Sequence, residues 1–261
     1  MKGCEMMILA VDIGNTNIML GGFSGDRLAF VSRLSTDLTK TADEYASGLL
    51  GVLSLYGVMR DEICGAILSS VVPPLNAVIK KAITFLYGVT PIIVGPGIKT
   101  GLNIHCDIPS SVGTDIICAC VAVNQRYGGP ALIVDMGTAT NMMVLNGKGA
   151  FIGVSIMPGI QMGLNALADG TAQLPKISLE APRTVIAKNT AESMRSGVIF
   201  GHASMVDGMI DRVCEELPEK PKVYITGGMA PFILQYCGHE MILDEHLVLK
   251  GLYYLYQKNK Q

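Results

Sequence analysis

The chain has 261 residues, 49% of them hydrophobic and 16% charged, with a formal net charge of -2. That composition suits a compact globular protein of one or two domains and excludes a disordered chain. Near-neutral charge gives no electrostatic basis for nucleic acid or an anionic membrane as a partner, and no apolar run is long enough to span a bilayer.

The opening MKGCEMMILAVDIG has one Lys, and a carboxylate soon breaks its short apolar stretch, so it makes a poor signal peptide. Residues 1–6 read as a dispensable leader, with Met1 and Met7 both candidate starts. Apolar strands follow, joined by SGD as a hairpin turn. TADEYASGLLGVLSLYGV predicts a helix starting at Thr41 or Asp43, with acids in its first turn. CGAILSSVVPPL reads as a short buried strand ended by a Pro pair, NAVIKKAITFLYG as a helix, and TPIIVGPG as a further strand. GTDIICACVAVNQRYG is apolar nearly all round and predicts a buried helix. After it come ALIVDMGTATNMMVLNGKGAFIGVSIMPG, read as strands with an Asn-Gly hairpin, helices over 159–170 and 190–216, the strand KVYITGG and the helix HLVLKGLYYLYQK.

Seven cysteines (Cys4, Cys64, Cys106, Cys118, Cys120, Cys214, Cys237) form no CxxC pair and have no zinc spacing. They read mostly as small core hydrophobes in a reducing cytosol.

One pattern occurs twice. Asp12-Ile13-Gly14-Asn15-Thr16-Asn17 and Asp135-Met136-Gly137-Thr138-Ala139-Thr140 each follow an apolar strand and precede a hairpin. The repeat predicts an α/β protein of two duplicated halves, each a mixed sheet flanked by helices, divided near residue 120 into 1–120 and 121–261. In each loop the glycine permits close approach of backbone to a ligand. Backbone N–H groups and the hydroxyls of Thr16, Thr138 and Thr140 can cradle phosphate. A carboxylate repels phosphate unless a cation lies between them, so the pair suggests a clamp on metal-bound polyphosphate. An ordinary strand-ending turn explains one such loop well and two less well.

Other nucleotide signatures are weak. No G-x-x-x-x-G-K-[ST] loop exists. VGPGIKTG (Gly95, Gly97, Gly101) has the wrong spacing for a dinucleotide fingerprint and reads as a flexible loop over a cleft. ITGGMA, with Thr226, Gly227 and Gly228, offers close backbone approach to adenine or ribose, or is a plain turn. IMPGIQMG, with Pro158 and Gly159, starts a helix whose N-terminus can take an anion.

Paired D-x-G loops with a late T-G-G resemble the actin, sugar-kinase and heat-shock-ATPase superfamily. The ordered set DIGNTN, ILSSVVP, TGL, VGTD, VDMGTAT, MPGI, LP, KNTAESMRSG, ITGG and LVLKGL, from about Met7 to Leu252, resembles the type III pantothenate kinases. The resemblance implies two ribonuclease-H-like halves with the active site between them. It implies a cytoplasmic homodimer that phosphorylates pantothenate at its terminal hydroxyl, the first step towards coenzyme A. The implied cofactors are ATP, a divalent metal such as Mg2+, and a monovalent cation, K+ or NH4+. Asp12, Ile13, Gly14, Asn15, Thr16, Asn17, Ile18 and Met19 would hold the ATP phosphates, with Asp12 addressing the phosphate-bound metal. Thr138, Gly227 and Gly228 would also contact ATP, and Asp135 would bind the monovalent cation. Asp115 matches the general base; Gly113, Thr114, Ile116, Cys106 and Thr190 would line the pantothenate site, Thr190 near the dimer interface. Read without the family, Asp115 serves equally as the N-cap of its helix.

Several positions depart from the family pattern: Ile116 stands for a usual Arg, Cys106 for a pocket Tyr, Ile108 and Ser111 for Asn and Glu, and Ala187 for Gly. They leave a second reading: an ATP-binding relative with another acceptor or a regulatory role. A third, an actin-like assembling ATPase, lacks the large insertions such proteins carry.

Overall fold

The computed structural model describes residues 6–260; Cys4, Met1 and all of the expected leader except Met6 lie outside the described residues. Two compact units emerge. One runs to Leu102, resumes over Ile108–Arg126 and takes in the chain from Leu247; the other comprises Asn103–Asp107 and Tyr127–His246.

In the first unit an antiparallel meander forms from β1 (Met7–Ile13), β2 (Asn17–Ser24) and β3 (Arg27–Ser35), and β4 (Ile63–Ser70) joins β1 in parallel. The short edge strand β5 (Ile92–Ile93) completes the order β3-β2-β1-β4-β5. Leu9, Ala10 and Val11 of β1 are all buried, so this strand needs cover on both faces. Leu9, Val11 and Ile13 pack with Leu49 and Leu53 of α1 (Ala42–Leu55) and Ile79 and Ile83 of α2 (Pro73–Tyr87). Helix α1 starts at a capping box: Thr41 accepts the Glu44 N–H, and the Glu44 carboxylate accepts the Thr41 N–H. Helix α2 begins at Pro73, not after the Pro pair, because proline lacks only an N–H that the first turn leaves unpaired anyway. The buried helix α3 (Thr114–Tyr127) carries Cys118 and Cys120, both fully buried.

The second unit repeats the plan. β6 (Ala131–Met136), β7 (Ala139–Leu145) and β8 (Phe151–Pro158) form the meander. β9 (Lys222–Thr226) joins β6 in parallel, and β10 (Ile242–Leu243) lies at the edge. The order β10-β9-β6-β7-β8, read backwards, is that of the first sheet, which confirms the duplication. Helices α4 (Ile160–Asp169), α5 (Thr190–Glu216) and the short α6 (Ala230–Ile233) belong to it, with Ile199, Ala203, Val206 and Ile210 of α5 packed on Leu132 and Val134.

The chain then returns to the first unit as α7 (Leu247–Asn259), which packs on β1, β2 and β4. The division expected at residue 120 falls inside α3, and it separates α7 from the sheet it covers. The VGPGIKTG segment, expected as a flexible loop, is tied to this helix. Asn259 accepts the Lys99 N–H at 3.0 Å and donates to the Lys99 carbonyl at 2.9 Å. A side chain at Gly251 of α7 would run into the Cys118 carbonyl of α3. Gly251→Ala therefore forces the helices apart and costs about 1–3 kcal/mol. Thermal denaturation checks this; an unchanged Tm would contradict the contact.

Candidate functional site

Asp12 is the second-last residue of β1, and the parallel register places it directly beside Ser69 of β4. Ser69, 0% exposed, donates its hydroxyl to Asp12 Oδ1. Beyond Ile13 the chain turns tightly, with the Gly14 N–H donating to the Asn17 carbonyl at 3.0 Å. Thr36 steadies the turn from outside, its hydroxyl donating to the Gly14 carbonyl at 2.6 Å and its N–H to the Thr16 carbonyl at 3.0 Å. Asn15, Thr16 and Asn17 are exposed, whereas the Ile13 and Ile18 side chains lie in the core and Met19 pairs across from Asp12. Ile13 and Ile18 can therefore offer a ligand only their backbone.

Asp115 belongs to the same unit. Next to it, the Thr114 hydroxyl pinches the end of β4, accepting the Ser70 N–H and donating to the Ser70 carbonyl, both at 3.2 Å. That hydroxyl is thus engaged with the protein and fixes the start of α3. Asp115 lies inside α3, not at its cap, although its carboxylate accepts the Ile116 N–H. Gly113 leaves it room: a Cβ there would lie 2.5 Å from Asp115 Oδ1. Ile116 is buried.

Burial pushes the Asp12 carboxyl up to about 7; the Asp115 charge adds to this and the Ser69 hydrogen bond opposes it. Asp115 is raised as well, by burial, against the opposing hydrogen bonds from the Ile116 N–H and its own. The Cys118 thiol beneath both is held well above its ordinary value, first by burial and then by these two acids. Two neighbouring, desolvated carboxyls are poor company for each other unless a cation or a proton joins them.

In the second unit Asp135 occupies the equivalent place on β6, paired with Asn141 of β7 and with Thr226 of β9. Gly227 follows Thr226 with φ +94, and a Cβ there would lie 2.6 Å from Asp135 Oδ1 and from Met136 backbone atoms. The close approach that ITGG permits is thus made first to the chain itself. Gly228 has open space around it. The Gly137 N–H donates to the Ala139 carbonyl at 3.1 Å, which turns the loop and leaves Thr138 exposed. Gly159 packs against the Thr138 carbonyl, so a side chain there would break the second loop. Buried Thr140 does not face a ligand; its hydroxyl pairs with His202 Nε2 of α5 at 3.0 Å, and burial lowers the pKa of His202. Thr190 is the exposed first residue of α5, whose cap is Asn189, accepting the Glu192 N–H at 3.0 Å. Cys106 is half-buried in a segment held by the second unit, where the His105 N–H donates to the Phe151 carbonyl at 2.8 Å.

No helix among the described residues is long and apolar enough to cross a membrane. Nor do any three His, Cys, Asp or Glu among them gather to cage a metal. Asp12 offers a single carboxylate, partly occupied by Ser69. That donor set fits Mg2+ arriving on phosphates, since this ion keeps several waters and takes one or two carboxylates.

The sequence alone gives Ser69, Ser70 and Thr36 no role at the site. The signal for the serines was present in CGAILSS: two hydroxyls closing an otherwise apolar buried strand.

The doubled sheet, each copy carrying an acid–glycine loop between its first two strands, defines the actin-like and sugar-kinase class of fold. The structure of an activator of 2-hydroxyisocaproyl-CoA dehydratase from Clostridium difficile, with bound ADPNP, matches with a TM-score of 0.56 at 13% identity, covering 98% of this chain and 96% of that one. The chain belongs to the type III pantothenate kinase family, whose model matches residues 8–212. It is 41% identical to the type III pantothenate kinase of Halalkalibacterium halodurans over 97% of this chain and 100% of that protein. A relative of the same description from Exiguobacterium is 42% identical over 98% of this chain and 100% of its own length.

Proposed function

We propose that the chain transfers the γ-phosphoryl group of ATP to the terminal hydroxyl of pantothenate, with Asp115 as the general base. The observation that carries the reading is the Asp12–Asp115 pair: two raised carboxyls in one unit of a chain whose family is the type III pantothenate kinases. Phosphoryl transfer asks a protein mainly for positioning, charge stabilisation and an acceptor for the hydroxyl proton. A carboxylate whose pKa burial has raised is the stronger base, and Asp115 is fixed for that task by the Thr114 pinch.

The loop from Asp12 to Asn17, continuing into Ile18 and Met19, presents backbone N–H groups to the phosphates. Asp12 would hold the phosphate-bound divalent metal, which would supply positive charge to offset that of the phosphates. Thr138, Gly227 and Gly228 contact ATP, and Asp135 supplies a carboxylate to K+ or NH4+. Gly113, Ile116, Cys106 and Thr190 contact pantothenate, while Thr114 acts through the backbone it pins. A homodimer and a cytoplasmic location belong to the same family reading. The alternative of a non-catalytic relative is not favoured, because both acids stand in place and the full-length relatives are pantothenate kinases by name.

ADP release measured with and without pantothenate, in K+ and in Na+, tests the reading. Pantothenate-dependent release that falls when Na+ replaces K+ is expected. Absence of pantothenate-dependent turnover at millimolar substrate would overturn it.

A further inference from the structure

We propose that Ser69 is a positioning residue for the nucleotide-bound metal: its hydroxyl fixes the Asp12 carboxylate in one orientation and leaves the other oxygen to the cation. The inference rests on the assignment of Asp12 to the phosphate-bound metal. β4 reads Ile63-Cys64-Gly65-Ala66-Ile67-Leu68-Ser69-Ser70, and Ala66, Ile67 and Leu68 are buried core. A hydroxyl in such a strand loses its water and gains nothing in packing over alanine, so it is tolerated only where it is hydrogen-bonded. The parallel register sets Ser69 opposite Asp12 and nothing else that is charged on β1. A serine has one proton to donate, and here it goes to Asp12 Oδ1. The Cys118 thiol lies close to the same hydroxyl, which opposes the rise that burial gives its pKa.

The geometry leaves Asp12 with one oxygen engaged inside the first unit and Oδ2 for a ligand. Without the serine the carboxylate can rotate, and a metal on the phosphates meets it in several orientations instead of one. Groups that orient a metal-binding side chain in this way typically contribute roughly 10- to 100-fold to metal affinity or activity.

The test compares wild type, Ser69→Ala and Ser69→Thr. The probe is Mn2+ with the non-hydrolysable analogue ADPNP, and binding is followed by the electron paramagnetic resonance of free Mn2+. Ser69→Ala is expected to weaken Mn2+–ADPNP binding by about tenfold or more. It should raise the Mg2+ concentration for half-maximal activity in parallel, with the KM for pantothenate within about twofold and Tm little changed. Ser69→Thr keeps the hydroxyl and is expected to restore most of the metal affinity. Metal–nucleotide binding unchanged in Ser69→Ala would overturn the proposal. So would a loss that tracks Tm and pantothenate KM equally, since a merely structural serine would act that way. If wild type binds Mn2+–ADPNP in a Ser69-dependent way yet phosphorylates no pantothenate, the positioning role stands and the acceptor assignment fails. If wild type binds no metal–nucleotide, both fall.

Discussion

Replacing Asp115 with Asn lowers kcat for pantothenate phosphorylation by roughly a hundred- to ten-thousandfold, the usual contribution of a general base. The substitution keeps the shape of the side chain and its hydrogen bond from the Ile116 N–H, so α3 should start as before. The KM for ATP should change little, because the phosphate loop lies on β1 and β2. Removing a buried acid also lightens the burden on Asp12, so Tm should hold or rise slightly. The pH profile of the wild type follows from the direction of the shift. A base works only when deprotonated, and Asp115 is raised above its ordinary 3.8. Activity should therefore fall, as pH decreases, at a higher pH than an unperturbed aspartate would give. Steady-state kinetics across pH check both parts. A variant with near wild-type kcat would make Asp115 a helix-start residue and nothing more.

Asp12→Asn should trade function for stability. Its carboxyl is raised from 3.8 to about 7 in the folded protein without ligands. Between those values the folded state holds a proton that the unfolded state has released, so stability falls as pH rises through that window. Asn carries no such burden and can still accept the Ser69 hydroxyl. A three-unit shift corresponds to about 4 kcal/mol, discounted to about 1–3 kcal/mol because Asp12 is only half-buried as a residue. The ligand-free variant should thus melt a few degrees above wild type at pH 8, and the advantage should vanish near pH 4. The same variant should lose most kinase activity and most metal–nucleotide affinity. Melting curves at the two pH values, with and without ATP and Mg2+, settle the matter. A variant less stable than wild type at pH 8 would show that Asp12 supports the fold rather than straining it.

These expectations show where the sequence was readable. The two D-x-G loops could be found because each interrupts a buried strand, where a carboxylate has no packing reason to be. Their equivalence is visible in the reversed strand order of the two sheets. Local chemistry also placed a helix start at Thr41 or Asp43, of which Thr41 is the cap, and 190–216 as a helix. What was not readable depends on distant partners. The Pro pair after Val72 looks like a stop, and only the packing of Leu75 and Ile79 shows a helix already running through it. VGPGIKTG looks mobile until Asn259, far along the chain, is seen to hold Lys99. The return of α7 to the first unit has no local signal either, because an amphipathic helix does not state which sheet it will cover. At the site, Asp115 was legible as an acid at a helix start. Its raised pKa was not, because that comes from burial in the folded chain. Ser69 carries no local sign of a role within ILSSVVP, since its meaning lies in the register that sets it against Asp12.

The central claim is that this chain moves a phosphoryl group from ATP to the terminal hydroxyl of pantothenate with Asp115 as the base. The direct measurement follows ATP isotopically labelled in its γ-phosphoryl group, incubated with pantothenate, Mg2+ and K+, with products resolved by mass spectrometry. The account predicts label on pantothenate with wild type and almost none with Asp115→Asn at equal ATP affinity. Label that stays in ATP or appears only as inorganic phosphate, while ATP binding is intact, would contradict it.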